Sequence, residues 1–254
     1  MKTLQFRNCK VCINPFCSII AVMIIFSCVK VMTPIDGYRL HAFDYLIISF
    51  LILVGSMGCL FLHEYAHVLA SRRIGLSVKE ITVSLFGAYT SLHGSPLQPR
   101  EALVVSIAGP VANVFIGIIF YAGYLVFLQS DIVGTIFFYL SVFNGVLSAY
   151  NLMPVMPLDG GLIVRSTLWL VSGNWTWATR RALLIGNGYA VLCIIAGIML
   201  VTMQHSLIGA VLCVLGLSLL QSEKLAYQRM LAAKILNIVN PKGYRKEVMR
   251  DAIR

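Results

Sequence analysis

The chain has 254 residues, of which 59% are hydrophobic and only 12% are charged. A soluble domain carries about 25% charged residues, so this composition excludes an ordinary soluble globular protein and indicates an integral membrane protein. The net charge of +10 lies mostly in segments that flank apolar runs, which favours the lipid bilayer as a partner and argues against nucleic acid.

Six apolar segments reach the length of about 20 residues that a membrane-spanning helix needs. They cover residues 14–33, 45–70, 102–128, 132–153, 182–203 and 205–222. The first segment follows a short basic stretch and has no small-residue cleavage site, so we interpret it as an uncleaved membrane anchor. The predicted fold class is an all-α membrane protein with about six transmembrane helices.

Three cysteines, Cys9, Cys12 and Cys17, lie near the start of the first span. A second metal site here would need another cysteine pair or a nearby histidine, and the surrounding sequence has neither. We therefore interpret them as ordinary thiols next to the membrane.

The second span ends in the pentapeptide His63-Glu64-Tyr65-Ala66-His67. Two histidines four positions apart lie about 40° apart around a helix and one turn apart along it, so both imidazoles can reach one metal ion. Glu64 lies next to the first ligand, where its carboxylate can accept a proton from an attacking water. This HExxH pattern is typical of zinc hydrolases, and its position in a span predicts a metal site inside the bilayer.

Residues 78–93, between the second and third spans, are rich in Val, Thr, Tyr and Ile, with Gly87 in the middle. The stretch is too short and too β-branched for a span, so it predicts a small membrane-associated β-hairpin or a re-entrant loop after the second helix. The open edge of such a hairpin could pair with an unwound segment of a substrate. The alternative is a surface hairpin that only connects two spans.

A catalytic zinc ion needs a third protein ligand and one open position. Among the acidic residues other than Glu64, only Asp159 lies in an apolar, turn-rich stretch on the same predicted side as the two histidines. Two prolines break the fourth span just before it, and irregular backbone at membrane depth is tolerated where it lines a protein cavity. Asp159 is therefore the predicted third ligand, and His93 and His205 are weaker alternatives.

The chain after the fourth span holds shorter elements. A helix is predicted from Leu158 to about Val171, and residues 173–177 indicate an interfacial stop with aromatic anchors. From Glu223 onward we predict a basic cytoplasmic tail, whose amphipathic helix ends at Asn240-Pro241. The predicted organisation is a polytopic membrane domain at residues 1–222, with its core at 45–165, and a tail at 223–254.

The positions of Lys and Arg predict the orientation. With the N-terminus inside, all but two of the 20 Lys and Arg residues fall on the cytoplasmic side, and the exceptions are Lys30 and Arg39. Both termini and the hairpin are therefore predicted to be cytoplasmic. We expect a multi-pass protein of a bacterial-type cell membrane.

Three motifs follow one another along the chain. They are the HExxH pentapeptide at 63–67, Gly109-Pro110 with Asn113 on the next span, and Asn151 and Pro154 followed by Leu158-Asp159-Gly160. In this order they resemble the site-2 protease family of intramembrane zinc metalloproteases, over about residues 45–165. The chain is similar to the compact six-span members, since neither a PDZ nor a CBS domain fits. The resemblance implies one zinc ion per chain, bound by His63, His67 and Asp159, and it implies Glu64 as the general base.

The resemblance also suggests two residues that contact the substrate. Asn151 is placed near the scissile carbonyl, where its amide could donate to a developing oxyanion. The alternative is that Asn151 only caps the broken helix. Gly87 matches the family within its β-like element, whereas Asn113 is interpreted as structural, in a close contact between helices.

The implied function is zinc-dependent hydrolysis of a peptide bond within or near a transmembrane segment of a membrane protein substrate. A membrane-embedded regulator is a further candidate partner. Two alternatives come from other classes of protein. A membrane metal-ion transporter would not require a Glu between two metal ligands. An inactive membrane adaptor would not require the complete set of catalytic residues that this chain contains. A protease with a third ligand from a Glu on a later span is also disfavoured, because no later apolar segment contains one.

Overall fold

The structure is a computed structural model that describes residues 2–6, 9–13, 42–75, 77–84, 87–93, 98–128, 131–203 and 206–239. Side chains are described for residues 47–75, 98–128, 132–203, 207–225 and 227–228. The predicted first span, at residues 14–33, lies outside the described part of the chain.

Helices dominate the described residues. They are α1 (Ala42–Arg73), α2 (Pro99–Val126), α3 (Asp131–Asn151), α4 (Asp159–Ser172), α5 (Trp175–Thr202) and α6 (Ser206–Val239). Five of them contain segments long and apolar enough to cross a membrane: Ile47–Arg73, Pro99–Val126, Ile132–Asn151, Trp175–Thr202 and Leu207–Leu225. The predicted helical membrane architecture is therefore confirmed for these residues.

The backbone also contains four strands. They are β1 (Lys2–Phe6), β2 (Cys9–Ile13), β3 (Ser77–Ser84) and β4 (Gly87–His93), in the order β1-β2-β3-β4. β1 and β2 are antiparallel, and β2 and β3 are parallel, with Lys10 opposite Glu80. The sequence did not predict β1 and β2. The membrane association of β3 and β4 as a hairpin stays a prediction.

The chain divides into two compact units. The first comprises residues 1–69, 80–89 and 108–149, and the second comprises residues 70–79, 90–107 and 150–254.

In the first unit, polar side chains link α2 and α3. The Oγ atoms of Ser141 and Ser148 donate to the backbone carbonyls of Gly117, at 3.0 Å, and Pro110, at 3.3 Å. Asn144 is fully buried, and its amide donates to Cys59 of α1 at 3.1 Å. Lipid provides no hydrogen-bond partners, so interhelical bonds of this kind fix how neighbouring spans pack.

In the second unit, α5 and α6 approach closely through small residues. A Cβ added at Gly216 would lie 2.8 Å from the carbonyl oxygen of Ala190, and one added at Gly209 would lie 2.6 Å from that of Gly197. Glycines at such contacts let two backbones pack without intervening side chains. The short helix α4 ends at Gly173, whose φ of 63° is a left-handed helix cap.

The observed bounds of α5 and α6 differ from the bounds of the apolar segments from which these helices were predicted. α5 begins at Trp175 rather than near residue 182, because the Oδ1 atom of Asn174 caps it by accepting from Trp177 N–H at 3.0 Å. α6 is one continuous helix, so the predicted boundary between residues 222 and 223 falls inside it. It extends to Val239, and the predicted helix end at Asn240-Pro241 lies outside the described residues.

Candidate metal centre

The HExxH residues lie on the buried face of α1. His63, Glu64 and His67 are all buried, as are Ser56 and Ser49, which lie one and two heptads before His63 on the same helix. Helix geometry brings residues seven apart to the same face. The polar stripe of α1 therefore faces protein, while its other faces carry exposed apolar side chains suited to lipid.

The Nε2 atoms of the two histidines face each other. Nε2 of His63 lies 3.3 Å from Nε2 of His67. Two nitrogens that each lie about 2.05 Å from a tetrahedral zinc ion would be about 3.3 Å apart. The observed separation therefore fits a shared metal ion.

Because Gly109 of α2 has no side chain, there is room beside it for the imidazoles of His63 and His67. A Cβ added there would lie 2.7 Å from Nε2 of His63 and would collide with Nε2 of His67. Any larger residue would fill the space beside the two ring nitrogens. The sequence indicated Gly109 only as part of a motif, and the structure places it against both imidazoles.

Asn113 lies on the opposite side of the His63 ring. It is fully buried, and its Nδ2 atom is 2.9 Å from Nδ1 of His63. Its Oδ1 atom is buried with no hydrogen-bond partner among the described residues. A half-turn of the amide brings Oδ1 to Nδ1, where it accepts the proton that Nδ1 carries when Nε2 binds a metal. The interpretation of Asn113 as purely structural therefore missed this contact.

Asp159 is the first residue of α4. The next two residues, Gly160 and Gly161, are buried, and a Cβ on Gly161 would lie 2.5 Å from the backbone nitrogen of Met156. The Asp-Gly-Gly order therefore lets the Pro-broken segment fold tightly against the start of α4. Asp159 belongs to the second unit and the two histidines to the first, and its part in the ligand set stays a prediction.

The other two predicted site residues lie at the ends of secondary-structure elements. Asn151 is the buried last residue of α3, and Gly87 is the first residue of β4. Their contacts with substrate stay predictions. The alternative ligands His93 and His205 lie outside the residues whose side chains are described.

Two buried histidines that direct their Nε2 atoms at each other, with a buried glutamate between them on an apolar helix, are typical of a metallohydrolase. The sequence pattern of Peptidase family M50 matches residues 49–133 and 126–195, which together are more than half of the chain. The chain belongs to peptidase family M50. This confirms its resemblance to the site-2 protease family, and it supports zinc as the cofactor.

Similar proteins agree with this membership. Rip3 of Mycobacterium tuberculosis, whose name describes it as a zinc metalloprotease, is 33% identical over 145 residues, which are 56% of this chain and 37% of Rip3. A zinc metalloprotease of Methanocaldococcus jannaschii is 30% identical over 139 residues, which are 54% of this chain and 40% of that protein. The chain thus matches less than half the length of these relatives.

A solved structure shows the same fold. The site-2 protease from Methanocaldococcus jannaschii superposes with a TM-score of 0.58 at 20% sequence identity, over 88% of this chain and 93% of that chain. At this level of identity the likeness concerns the arrangement of the backbone.

Proposed function

We propose that this chain is a zinc-dependent intramembrane endopeptidase, which hydrolyses a peptide bond within or near a transmembrane segment of a membrane protein. The observation that carries the proposal is the 3.3 Å separation of the His63 and His67 Nε2 atoms on a membrane-spanning helix. Membership of peptidase family M50 and the names of the relatives support the same activity.

The proposed zinc ligands are His63, His67 and Asp159, which the facing Nε2 atoms of the histidines and the place of Asp159 at the start of α4 support. Zinc bound there supplies Lewis-acid activation of water and of the scissile carbonyl. Asp159 contributes a negative charge, which offsets the charge of the cation in a low-dielectric setting.

Glu64 is the general base. It is buried in α1 beside the first ligand, so its carboxylate can take a proton from the attacking water and return it to the leaving amine. Asn151 donates to the oxyanion that develops on the scissile carbonyl, and its buried position at the end of α3 is consistent with this role. Asn113 holds the imidazole of His63 through Nδ1.

The substrate segment must lose its helical hydrogen bonds before it can be cut, because a helix encloses its peptide carbonyls. Unwound backbone in a bilayer needs new partners. β3 and β4 supply them as a membrane-associated hairpin, with Gly87 at the edge that the substrate joins as an added strand. Pro substitutions along β4, such as Thr90→Pro, should lower turnover without lowering zinc content, because they remove backbone donors. Unchanged turnover would make the hairpin a connector only.

Orientation and partners follow from the charge distribution. Both termini lie in the cytoplasm, and water reaches the site from that side. The setting is a bacterial-type cell membrane, and the substrate is a protein with a transmembrane segment whose helix is easily unwound.

The test is a cleavage assay with the purified chain in lipid nanodiscs. Synthetic single-span peptides, with and without a Gly pair in the apolar stretch, are incubated with the zinc-loaded and the chelator-stripped protein, and the products are identified by mass. Zinc-dependent cleavage within the apolar stretch, faster for the Gly-containing peptide, is expected. Zinc flux into proteoliposomes with no cleavage of any peptide would instead establish a transporter.

A further inference from the structure

A buried carboxyl group outside the ligand set lies on α6. Glu223 is 0% exposed and falls within the apolar segment Leu207–Leu225. The predicted tail began at Glu223, and no later apolar segment was expected to contain a Glu; the apolar segment instead extends to Leu225 and includes Glu223. Carboxyl groups at membrane depth are costly to bury and occur where they serve a function.

Glu223 bonds to the broken segment between α3 and α4. Its Oε1 atom accepts from the backbone N–H of Met156 at 2.7 Å. The Oγ atom of the adjacent Ser222 lies 3.1 Å from the backbone carbonyl oxygen of Met156 and 2.9 Å from that of Leu219, so its single proton is shared between these two acceptors. Two consecutive side chains of α6 thus contact both backbone groups of Met156, and the bond from Glu223 is the stronger of the two contacts. Non-helical backbone at membrane depth needs such partners.

Met156 lies three positions before Asp159. Around it the backbone turns tightly, with Val155 N–H donating to the carbonyl of Met153 at 2.7 Å and Leu158 N–H donating to that of Val155 at 2.9 Å. The Met156 nitrogen also lies against Gly161 of α4, as the close approach there requires. Fixing Met156 therefore fixes the turn from which α4 and Asp159 begin.

Gly186 of α5 provides the room for this contact. A Cβ added at Gly186 would collide with Oε1 of Glu223 and would lie 3.1 Å from the carbonyl oxygen of Pro154. At Gly188, two residues along the same helix, an added Cβ would meet nothing within 4 Å. Gly186 thus lies where α5, α6 and the broken segment meet.

We propose that Glu223 is a positioning residue for the metal site. Through the amide of Met156 it holds the segment that sets the position of the Asp159 carboxylate. This inference rests on the proposed function, because it takes Asp159 as a zinc ligand. Residues that orient a ligand without touching the metal typically change metal affinity or activity by roughly 10- to 100-fold when lost.

The test compares Glu223→Ala with Glu223→Gln in the full-length protein. Gln keeps an oxygen that accepts from Met156 N–H, and Ala does not. Zinc affinity is measured by competition with a chromophoric chelator, and kcat and KM are measured on a cleaved single-span peptide. Glu223→Ala should lower zinc affinity by roughly 10-fold or more and lower kcat, and Gln should restore both to within about threefold of the natural protein.

Glycine variants test the same contact without removing the carboxyl group. Gly186→Ala should reproduce the loss of zinc affinity, and Gly188→Ala should bind zinc as the natural protein does. If Glu223→Ala fails to fold, Gly186→Ala and Glu223→Gln decide the question, with folding followed by circular dichroism. Zinc affinity and turnover at natural levels in a folded Glu223→Ala or Gly186→Ala variant would overturn the inference, even if thermal stability fell.

The two proposals fail in distinguishable ways. A natural protein that binds zinc and cleaves no peptide would contradict the proposed function, while the effect of Glu223→Ala on zinc affinity could still be read. A natural protein that cleaves peptides in a zinc-dependent manner, with zinc affinity unaltered in both variants, would contradict only the role of Glu223.

Discussion

The side-chain amide of Asn113 lies 2.9 Å from Nδ1 of His63, while the other ring nitrogen of His63 faces His67. One imidazole is thus held on one side by a buried amide and directed on the other side toward the proposed metal. Because a metal-bound imidazole carries its proton on the second nitrogen, a neighbouring acceptor fixes both its tautomer and its orientation. Asn113 can provide that acceptor through its buried Oδ1.

Replacing Asn113 with leucine should therefore lower zinc affinity by roughly 10-fold. Asn113→Asp keeps an acceptor oxygen and should retain more of the affinity than leucine does. A chelator competition titration on the purified variants measures both effects. The matched control is Asn144→Leu, which removes another fully buried amide that bonds to Cys59 and the carbonyl of Leu140. If both leucine variants bind zinc equally well, the contact with His63 does not orient a ligand.

Gly109→Ala should abolish stoichiometric zinc binding, because its methyl group would enter the space beside the two ring nitrogens. Gly117→Ala, on the same helix, is the control, since its Cβ would approach Asn144 Cβ at an ordinary contact distance of 3.4 Å. Zinc content is measured by atomic absorption after purification. A Gly109→Ala protein that holds one zinc ion per chain would show that the metal site lies elsewhere.

The orientation can be tested with single cysteines in a background free of the native ones. Cys introduced at Ser130 should react with a membrane-impermeant thiol reagent in intact cells, and Cys introduced at Gln98 should react only after the membrane is opened. The reason is the excess of Lys and Arg on the proposed cytoplasmic side. The reverse labelling pattern would invert the proposed topology.

The sequence predicted the features that depend on local geometry. The spacing of His63 and His67 fixes their relation on any helix, and the prolines before Asp159 indicated a broken span with a carboxylate at its end. The roles of Asn113 and Glu223 could not be predicted in this way. They depend on which faces of α1, α2 and α6 pack against their neighbours, and that is decided by contacts between residues far apart in the chain.

Helix ends showed a related difference. A prediction from hydropathy ends a span at the first charged residue. It therefore placed the start of α5 after Arg181 and the end of the last span before Glu223. The backbone follows other signals: the side chain of Asn174 caps α5, and α6 continues because nothing between Ser206 and Val239 breaks a helix. An acidic residue in an apolar segment can remain buried when it has a backbone partner, as Glu223 does.

The central claim is that His63, His67 and Asp159 hold a zinc ion that serves hydrolysis with Glu64 as the base. The most direct measurement is the zinc content and cleavage rate of two variants in parallel. Glu64→Gln should keep one zinc ion per chain and lose cleavage by roughly 10²- to 10⁴-fold, because it removes the base and leaves the ligands intact. Asp159→Ala should lose both zinc and cleavage, because two histidines alone bind zinc weakly. Stoichiometric zinc in Asp159→Ala, or natural cleavage by Glu64→Gln, would contradict the account.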